Sequence, residues 1–368
     1  ATLSGAAILI DTDGKTVRST AGTAAIAAKP VVTAQVGATP VVTAPVGTGK
    51  TAPAVPSMPV SASKPRASRP KPWKIQLLDY ADSLTTEETH AGIFAGLKTR
   101  GLEEGRDYRL VQRSAHGDMA TLNSVIDAAI SDRPDLVITT STPTLQMAVN
   151  KIKGFPVVFT TVADGVMAGA GASDEKHLPN FTGVNTMSDF PGMVDVILEC
   201  FPAAKKVGTL FVPGEVNSVR YRDEFVRAAA RRGLTVDSVG VSVVSEVTDA
   251  VSALVARKPD LIAQISDNLS NSAFPAIGEA ARKANIPLFG FVSGTLKNGA
   301  AVVVARDYGE GGELAVSLAV RILEGEDPAG IPFTSLSHSR ILLSSANAAL
   351  YGMTFPDSLV KKADKVVQ

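Results

Sequence analysis

The chain has 368 residues, 45% of them apolar, and its 36 basic and 36 acidic side chains give formal neutrality. That balance excludes a strongly basic protein, so we expect no nucleic acid partner. The single cysteine, Cys200, excludes an internal disulfide and a cysteine-based zinc site, and no apolar run is long enough to span a membrane.

The first 72 residues differ in composition from the rest of the chain. Residues 1–27 contain an Asp13-Gly14 turn signal between short apolar runs, which predicts at most a small hairpin. Residues 28–72 are rich in Pro, Ala, Thr and Val and repeat the unit "PVVTAQVGAT" as "PVVTAPVGTG". Such a segment buries too little apolar surface to offset its ordering entropy, so we interpret it as an extended linker.

From Trp73 onward, short apolar runs alternate with amphipathic segments. Runs such as "DLVITT", "KVGTLFV" and "DLIAQI" read as strands, and segments such as "DMATLNSVIDAAISDR" read as helices. This alternation predicts right-handed βαβ units and parallel, doubly wound sheets. Nine predicted strands are too many for one core, so we expect an α/β protein with two Rossmann-like lobes.

Polar residues follow five of the predicted strands. Ligands of open parallel sheets lie at the carboxyl ends of the strands, so these residues are candidates for binding. Helix capping explains one such residue per strand end, but the run "SDNLSN" at 266–271 offers several. The candidates are Tyr80, Asp82, Ser141, Thr142, Asp164, Asn217, Ser218, Asp267 and Asn268.

Several ordered motifs resemble one protein family. The segment "VPGEVNSVRYRDEFVRAAARRG" is similar to the "NPGNPNS" segment of the substrate-binding proteins of ABC transporters, in the branch with tryptophan- and aromatic-amino-acid-binding lipoproteins. Further matches are "TTSTPTLQMA", "PVVFTTVADGVMAGA", "ISDNLSNS", "GTLKNGAAVVVARDYGEGGELA" and "ALYGMTFPDSLVKKADKVV". The resemblance runs from about Ile75 to Val367.

The resemblance implies a type I periplasmic-binding-protein fold, in which two α/β lobes joined by three crossovers close on a small ligand. Lobe one would comprise residues 73–184 and 307–332, and lobe two residues 185–306 and 333–368. The crossovers would fall near Val184-Asn185, Ala305-Arg306 and Pro332-Phe333. Closure would be a hinge motion about these segments.

The resemblance also suggests how an amino acid would bind. Helix starts assisted by hydroxyl groups hold carboxylates, and Ser141-Thr142 and Asn217-Ser218 match that role, one pair from each lobe. A buried ammonium needs acceptors, for which Asp267 and Asn268 match the Asp-Asn of the family. Asp307 is a further candidate. Tyr80 and Phe291 are candidates to stack on an apolar side chain.

Three departures from the family pattern leave the ligand class open. Thr-Asp-Pro is replaced by Ala163-Asp164-Gly165, and "VPGEVNS" introduces Glu215 near the cleft. Where amino-acid-binding members carry an acidic residue, this chain reads Phe291-Val292-Ser293-Gly294, which makes Ser293 a candidate contact. A peptide, an aromatic acid or a nucleobase-like compound therefore stands beside an aromatic or branched amino acid.

The expected function is capture of a small solute and its delivery to an ABC permease by a monomer. The resemblance implies no cofactor, metal or catalytic residue, and the four histidines show no metal-ligand spacing. We expect a periplasmic or membrane-anchored extracellular location, with any signal or anchor outside this chain. The alternative is the ligand-sensing domain of a signalling receptor, and an enzyme is the weakest hypothesis.

Overall fold

The computed structural model describes residues 67–368. The strands in chain order are β1 (Trp73–Asp79), β2 (Tyr108–Ser114), β3 (Leu136–Thr140), β4 (Val157–Val162), β5 (Phe181–Asn185), β6 (Lys206–Phe211), β7 (Thr235–Gly240), β8 (Leu261–Gln264), β9 (Leu288–Gly290), β10 (Val302–Arg306), β11 (Thr334–Ser335), β12 (Ser339–Ser344) and β13 (Lys365–Val367). The expected hairpin within residues 1–27 and most of the linker lie outside the described residues.

Helices connect most of these strands. They are α1 (Leu84–Thr99), α2 (Met119–Ser131), α3 (Thr142–Lys151), α4 (Phe190–Cys200), α5 (Val216–Ala230), α6 (Val247–Ala256), α7 (Asn268–Ser272), α8 (Phe274–Lys283), α9 (Tyr308–Leu323), α10 (Ser345–Leu350) and α11 (Asp357–Lys362). Within residues 67–368, no helix combines the length and the hydropathy needed to span a bilayer.

The strands form two sheets, one in each lobe. The sheet of lobe one has the order β11-β5-β4-β3-β1-β2, and all its pairs are parallel. The sheet of lobe two has the order β13-β12-β10-β9-β8-β6-β7, in which the β10–β12 pair is antiparallel. The expected architecture of two parallel α/β lobes is confirmed. The strand order reverses at β1 in one sheet and at β6 in the other.

Helices cover both faces of the sheet in lobe one. Its strands therefore carry apolar side chains on both faces. On β1, Ile75 and Leu77 pack in a core with α1 and α9, whereas Leu78 packs in a second core with α2 and α3. All five residues of β3 are buried. Strands covered on both faces read as continuous apolar runs, which is why the sequence signal for them is strong.

Three segments cross between the lobes, after β5, β10 and β11. Thr334 and Ser335 still pair with Val184 and Asn185 of lobe one, so the third crossing follows Ser335 and not Pro332 as expected from the sequence. A single guanidinium joins all three segments. Arg306 Nε donates to the Met187 carbonyl at 2.8 Å, and its Nη1 donates to Ser339 Oγ at 2.8 Å and to the Ser337 carbonyl.

Residues just before β1 already contact lobe one, although the sequence analysis counted them in the linker. The N–H of Arg69 donates to the Leu323 carbonyl at 2.9 Å, and Lys71 Nζ lies 2.9 Å from Asp107 Oδ1. Lobe one therefore includes residues that composition alone assigned to the extended linker.

Glycines allow α1 and α9 to approach closely. A Cβ on Gly92 of α1 would lie 1.9 Å from the Gly309 carbonyl oxygen, and one on Gly312 of α9 would lie 2.3 Å from the Thr89 carbonyl oxygen. In the structure, Gly312 serves helix packing within lobe one.

We expect Gly92→Ala to lower the free energy of unfolding by about 1–3 kcal/mol, because the new methyl group overlaps rigid backbone of α9. Chemical denaturation monitored by circular dichroism measures the change. The matched control is Gly154→Ala, whose added Cβ meets no heavy atom within 4 Å. Equal stability of the two variants would contradict the close helix contact.

Candidate functional site

A cavity of about 620 Å³ lies between the two lobes at the carboxyl ends of their strands. Its walls follow β1, β2 and β3 in lobe one and β6, β7 and β8 in lobe two, so they flank the point in each sheet where the strand order reverses. Such switch points are the usual ligand sites of open α/β sheets. The lining residues are Tyr80, Ala81, Asp82, His116, Gly117, Met119, Pro143, Gln146, Val212, Gly214, Glu215, Ser242, Val243, Val244, Asn268, Leu269 and Ser272.

The wall from lobe one is held by local hydrogen bonds. Tyr80 Oη donates to the Gly117 carbonyl at 2.7 Å. Asp82 accepts from Ser114 Oγ at 2.9 Å and contacts His116 Nδ1 at 2.6 Å, and the His116 hydrogen bond lowers the pKa of Asp82. The Asp82 carbonyl also accepts from Ser272 Oγ of lobe two at 2.8 Å, which joins the lobes directly.

Glu215 is the acidic residue in the wall from lobe two. Its Oε2 accepts from Asn268 Nδ2 at 2.8 Å and from Asn217 Nδ2 at 3.2 Å. Burial and, second, the charge of Asp267 raise the pKa of Glu215. Burial also raises the pKa of Tyr80, followed by the charges of Glu215 and Asp118, which indicates that the tyrosine faces this acid across the cavity.

Asp267 lies behind this wall and does not line the cavity. Its Oδ2 accepts from Ser218 Oγ at 2.7 Å and its Oδ1 accepts from the Ser270 N–H at 2.7 Å, which caps α7. The side chain is fully buried, and burial raises its pKa. Ser218 in turn accepts from the Val212 N–H at 2.8 Å. The pair therefore connects the ends of β6 and β8.

Ser141 and Thr142 are buried at the start of α3, next to the lining residue Pro143. Ser141 has φ 72° and ψ 155°, a conformation that is common only for glycine. Its N–H donates to the Thr160 carbonyl, and its hydroxyl contacts Thr144 Oγ1 at 3.3 Å. Helix α3 contacts α5 of lobe two, and Pro143 of α3 and Glu215, which precedes α5, line the same cavity.

Of the predicted site residues, Tyr80, Asp82 and Asn268 line the cavity, and five lie directly behind its walls. Those five are Ser141, Thr142, Asn217, Ser218 and Asp267. Phe291, proposed to stack on a ligand, instead packs in the core of lobe two, with ring centroids 5.1 Å from Phe190 and 5.8 Å from Phe225. Its ring is needed there because the apolar face of β9 points toward α4 and α5.

The other three predicted residues also lie outside the lining. Asp164 accepts from the Met167 N–H at 3.0 Å in the turn after β4. Ser293 donates to Glu88 Oε1 of lobe one at 3.2 Å. Asp307 caps α9 through the Glu310 N–H and pairs with Arg340 at 3.1 Å. Ser293 therefore contributes to contact between the lobes, and Asp307 to the region of the crossovers.

The sequence did not identify the cavity-lining residues that follow β2 and β7. His116, Met119, Val243 and Val244 line the cavity, and the two valines are 50% and 56% exposed. The segments "DYRLVQR" and "TVDSVGV" also have the pattern of strands, so the rule that ligands lie at strand ends would have found these residues if it had been applied to every strand.

Comparison with known proteins places the chain among solute-binding proteins. A family model described as ABC transporter substrate binding protein matches residues 75–367. A tyrosine-binding protein from Clostridioides difficile (strain R20291) is 31% identical over 258 residues, which are 70% of this chain and 74% of that protein. The family resemblance inferred from the sequence motifs is confirmed.

Two solved structures are similar to this chain over most of its length. An ABC domain from Streptococcus pneumonia in complex with L-Trp is 25% identical with a TM-score of 0.77, and the match covers 80% of this chain and 99% of that chain. A ligand-free, open structure of a substrate binding protein with adhesive properties from Clostridium difficile is 27% identical with a TM-score of 0.62, at the same coverage. The chain therefore superposes more closely on the complex than on the open structure.

The strained backbone at Ser141 generates a test. Ser141→Gly should raise the free energy of unfolding by about 1 kcal/mol, because relief of about 1–3 kcal/mol of strain exceeds the entropic penalty of glycine. Ser141→Ala removes the same hydroxyl but keeps the strain, so it should give no such gain. Thermal and urea unfolding of both variants measure the difference. A Gly variant no more stable than the Ala variant would show that the conformation is unstrained.

The buried acid Glu215 predicts a pH dependence of stability. A carboxyl group with a raised pKa in the folded state contributes stability that is fully present below its ordinary pKa of 4.5 and is lost as the pH rises through the raised value. The native chain should therefore lose more stability over this interval than Glu215→Gln. Urea titrations at several pH values test this, with the exposed Glu104→Gln as control, which should follow the native profile. Parallel profiles for all three proteins would contradict it.

Proposed function

Because the chain belongs to the ABC transporter substrate-binding protein family, we propose that it captures an amino acid with an aromatic or branched apolar side chain between its lobes. The family consists of solute-binding proteins that act outside the cytoplasm with ABC permeases, so the chain is a solute-binding protein and not an enzyme. The class of ligand is our proposal.

The observation that carries the ligand class is the composition of the cavity wall. Apolar side chains from both lobes make up much of it, including Met119, Pro143, Val212, Val244 and Leu269. Two acids, the exposed Asp82 and the half-buried Glu215, interrupt this surface, and no lysine or arginine occurs among the described lining residues. Such a wall suits a ligand with an apolar body and a cationic group, which a neutral sugar does not offer. The names of the relatives, tyrosine-binding in one case and an L-Trp complex in the other, agree with this class.

The start of α3 is the proposed site for the ligand carboxylate. Its first N–H groups have no acceptor within the helix, and the partial positive charge of the helix start favours an anion. Thr142 lies in this first turn, beside Ser141 and the lining residues Pro143 and Gln146. At the start of α5, Asn217 and Ser218 donate to Glu215 and Asp267, so we propose that lobe two contacts the ligand through its acidic wall and not through this helix start. Closure would then join both lobes to one ligand.

We further propose that the protein works as a monomer, either free in the periplasm or held to the outer face of a membrane by an anchor. One ligand per chain is expected, because the cavity is built from both lobes of the same chain. The closed arrangement would be the form that the ABC permease receives.

The test is a thermal-shift screen of the purified chain after unfolding and refolding in the absence of ligand. The panel contains the twenty amino acids one at a time, together with purines, simple sugars and dipeptides. A ligand at a hundredfold its Kd stabilises the protein by about 2.7 kcal/mol, which raises the Tm by roughly 5–10 °C for lobes of this size.

We expect a selective rise with aromatic or branched amino acids and none with sugars. Titration calorimetry on the hits should give a stoichiometry of one. If no amino acid raises the Tm and a compound of another class does, the ligand assignment is wrong while the family assignment stands.

A further inference from the structure

Glu215 has one carboxylate oxygen committed to the protein and one turned to the cavity. All its hydrogen bonds among the described residues go to Oε2, from Asn217 Nδ2, Asn268 Nδ2 and, at 3.4 Å, the Asn268 N–H. Oε1 accepts none from these residues, and the side chain lines the cavity. The two amides therefore fix the orientation of the carboxylate and leave one acceptor for a ligand.

No cation in the described cavity wall balances this acid. The basic residue nearest in sequence, Arg220, pairs with Glu224 at 2.7 Å and lines a different depression along α5. His116 contacts Asp82 at the other wall. Behind Glu215 lies the second acid, Asp267. A half-buried carboxylate whose charge no cation balances is costly, so this wall favours a ligand with a positive group.

A second acceptor lies beside Glu215. Asn217 is 5% exposed, and because its Nδ2 donates to Glu215, its Oδ1 has no partner among the described residues. Unpaired buried acceptors are rare and call for an explanation. An ammonium group has three donors and is able to bond both to Glu215 Oε1 and to this amide oxygen.

Asp267, the other candidate for the ammonium contact, is fully buried and does not line the cavity. Its two oxygens accept from Ser218 Oγ and from the Ser270 N–H, which hold the carboxylate within lobe two. Its contribution is indirect, since it caps the short helix whose first residue, Asn268, holds Glu215.

We propose that Glu215 is the residue that binds the ligand's ammonium group and thereby determines specificity. The inference rests on the proposed function and narrows it: the solute must carry a primary amine next to an apolar body. Asn217 and Asn268 are positioning residues for this contact, and Asp267 supports α7 behind them.

The experiment uses three related probes in titration calorimetry with the refolded chain. L-tryptophan carries amine and carboxylate, tryptamine carries only the amine, and indolepropionate carries only the carboxylate. For Glu215→Gln we expect roughly 10- to 100-fold weaker binding of both amines, because a charge-assisted hydrogen bond is lost. Binding of indolepropionate should be unchanged or tighter. Circular dichroism spectra and Tm values confirm that each variant is folded.

The matched control is Glu104→Gln, the same chemical change at an exposed acid outside the cavity lining. It should leave the affinity of all three probes unchanged. If Glu215→Gln also leaves the affinities unchanged, or weakens all probes equally, the assignment of Glu215 is wrong. As a second variant against misfolding, Glu215→Asp should keep part of the preference for amines.

The outcomes separate this inference from the proposed function. If L-tryptophan or another amino acid binds and Glu215→Gln has no effect, the function stands and the role of Glu215 falls. If only amines such as tryptamine bind and Glu215→Gln abolishes this, the amino-acid assignment falls and Glu215 stands. If the chain binds only compounds without a positively charged nitrogen, or no amino acid and no amine of the panel, both are wrong.

Discussion

The site depends on one constraint: polar groups at the carboxyl ends of two opposed sheets must find partners when the lobes meet. Buried carboxylates and amides left without hydrogen bonds would hold the lobes apart. In this chain most are satisfied within one lobe, as Asp267 is by Ser218 and the start of α7. A smaller number bond across the cleft, as Ser272 does to the Asp82 carbonyl. What remains unsatisfied, at Glu215 and Asn217, identifies where a ligand is needed.

Helix geometry explains why Asp267 caps a helix whereas Glu215 faces the cavity. Asp267 immediately precedes α7, and a residue in that position turns its carboxylate back to the first free N–H groups of the helix. Glu215 precedes α5 in the same way, yet its side chain makes no cap bond. Its longer side chain reaches the amides of Asn217 and Asn268 instead. A capping acid and a ligand-facing acid thus stand at equivalent places after β8 and β6, which are neighbours in the sheet.

The sequence was sufficient for the fold but only for part of the site. Buried parallel strands such as β3 and β4 give continuous apolar runs, whereas β5, β11, β12 and β13 are short or lie near sheet edges and were not predicted. Polar residues at strand ends located the cleft correctly. Which of them faces the cavity depends on cap bonds and on packing across the sheet, and neither is encoded in local composition. For that reason the sequence favoured Asp267 and not Glu215 as the acid that contacts the ligand. It also made the core residue Phe291 a candidate for ligand stacking.

The guanidinium of Arg306 has a consequence for how the lobes move. It bonds to the segments after β5 and β11 from its own position at the end of β10, so none of the three crossovers bends alone without breaking one of these bonds. A hinge rotation that moves the three segments together keeps these bonds, whereas movement of one segment alone breaks at least one of them. We therefore expect the outer surfaces of both lobes to change their angle together, so that a protein in contact with both surfaces would meet that angle.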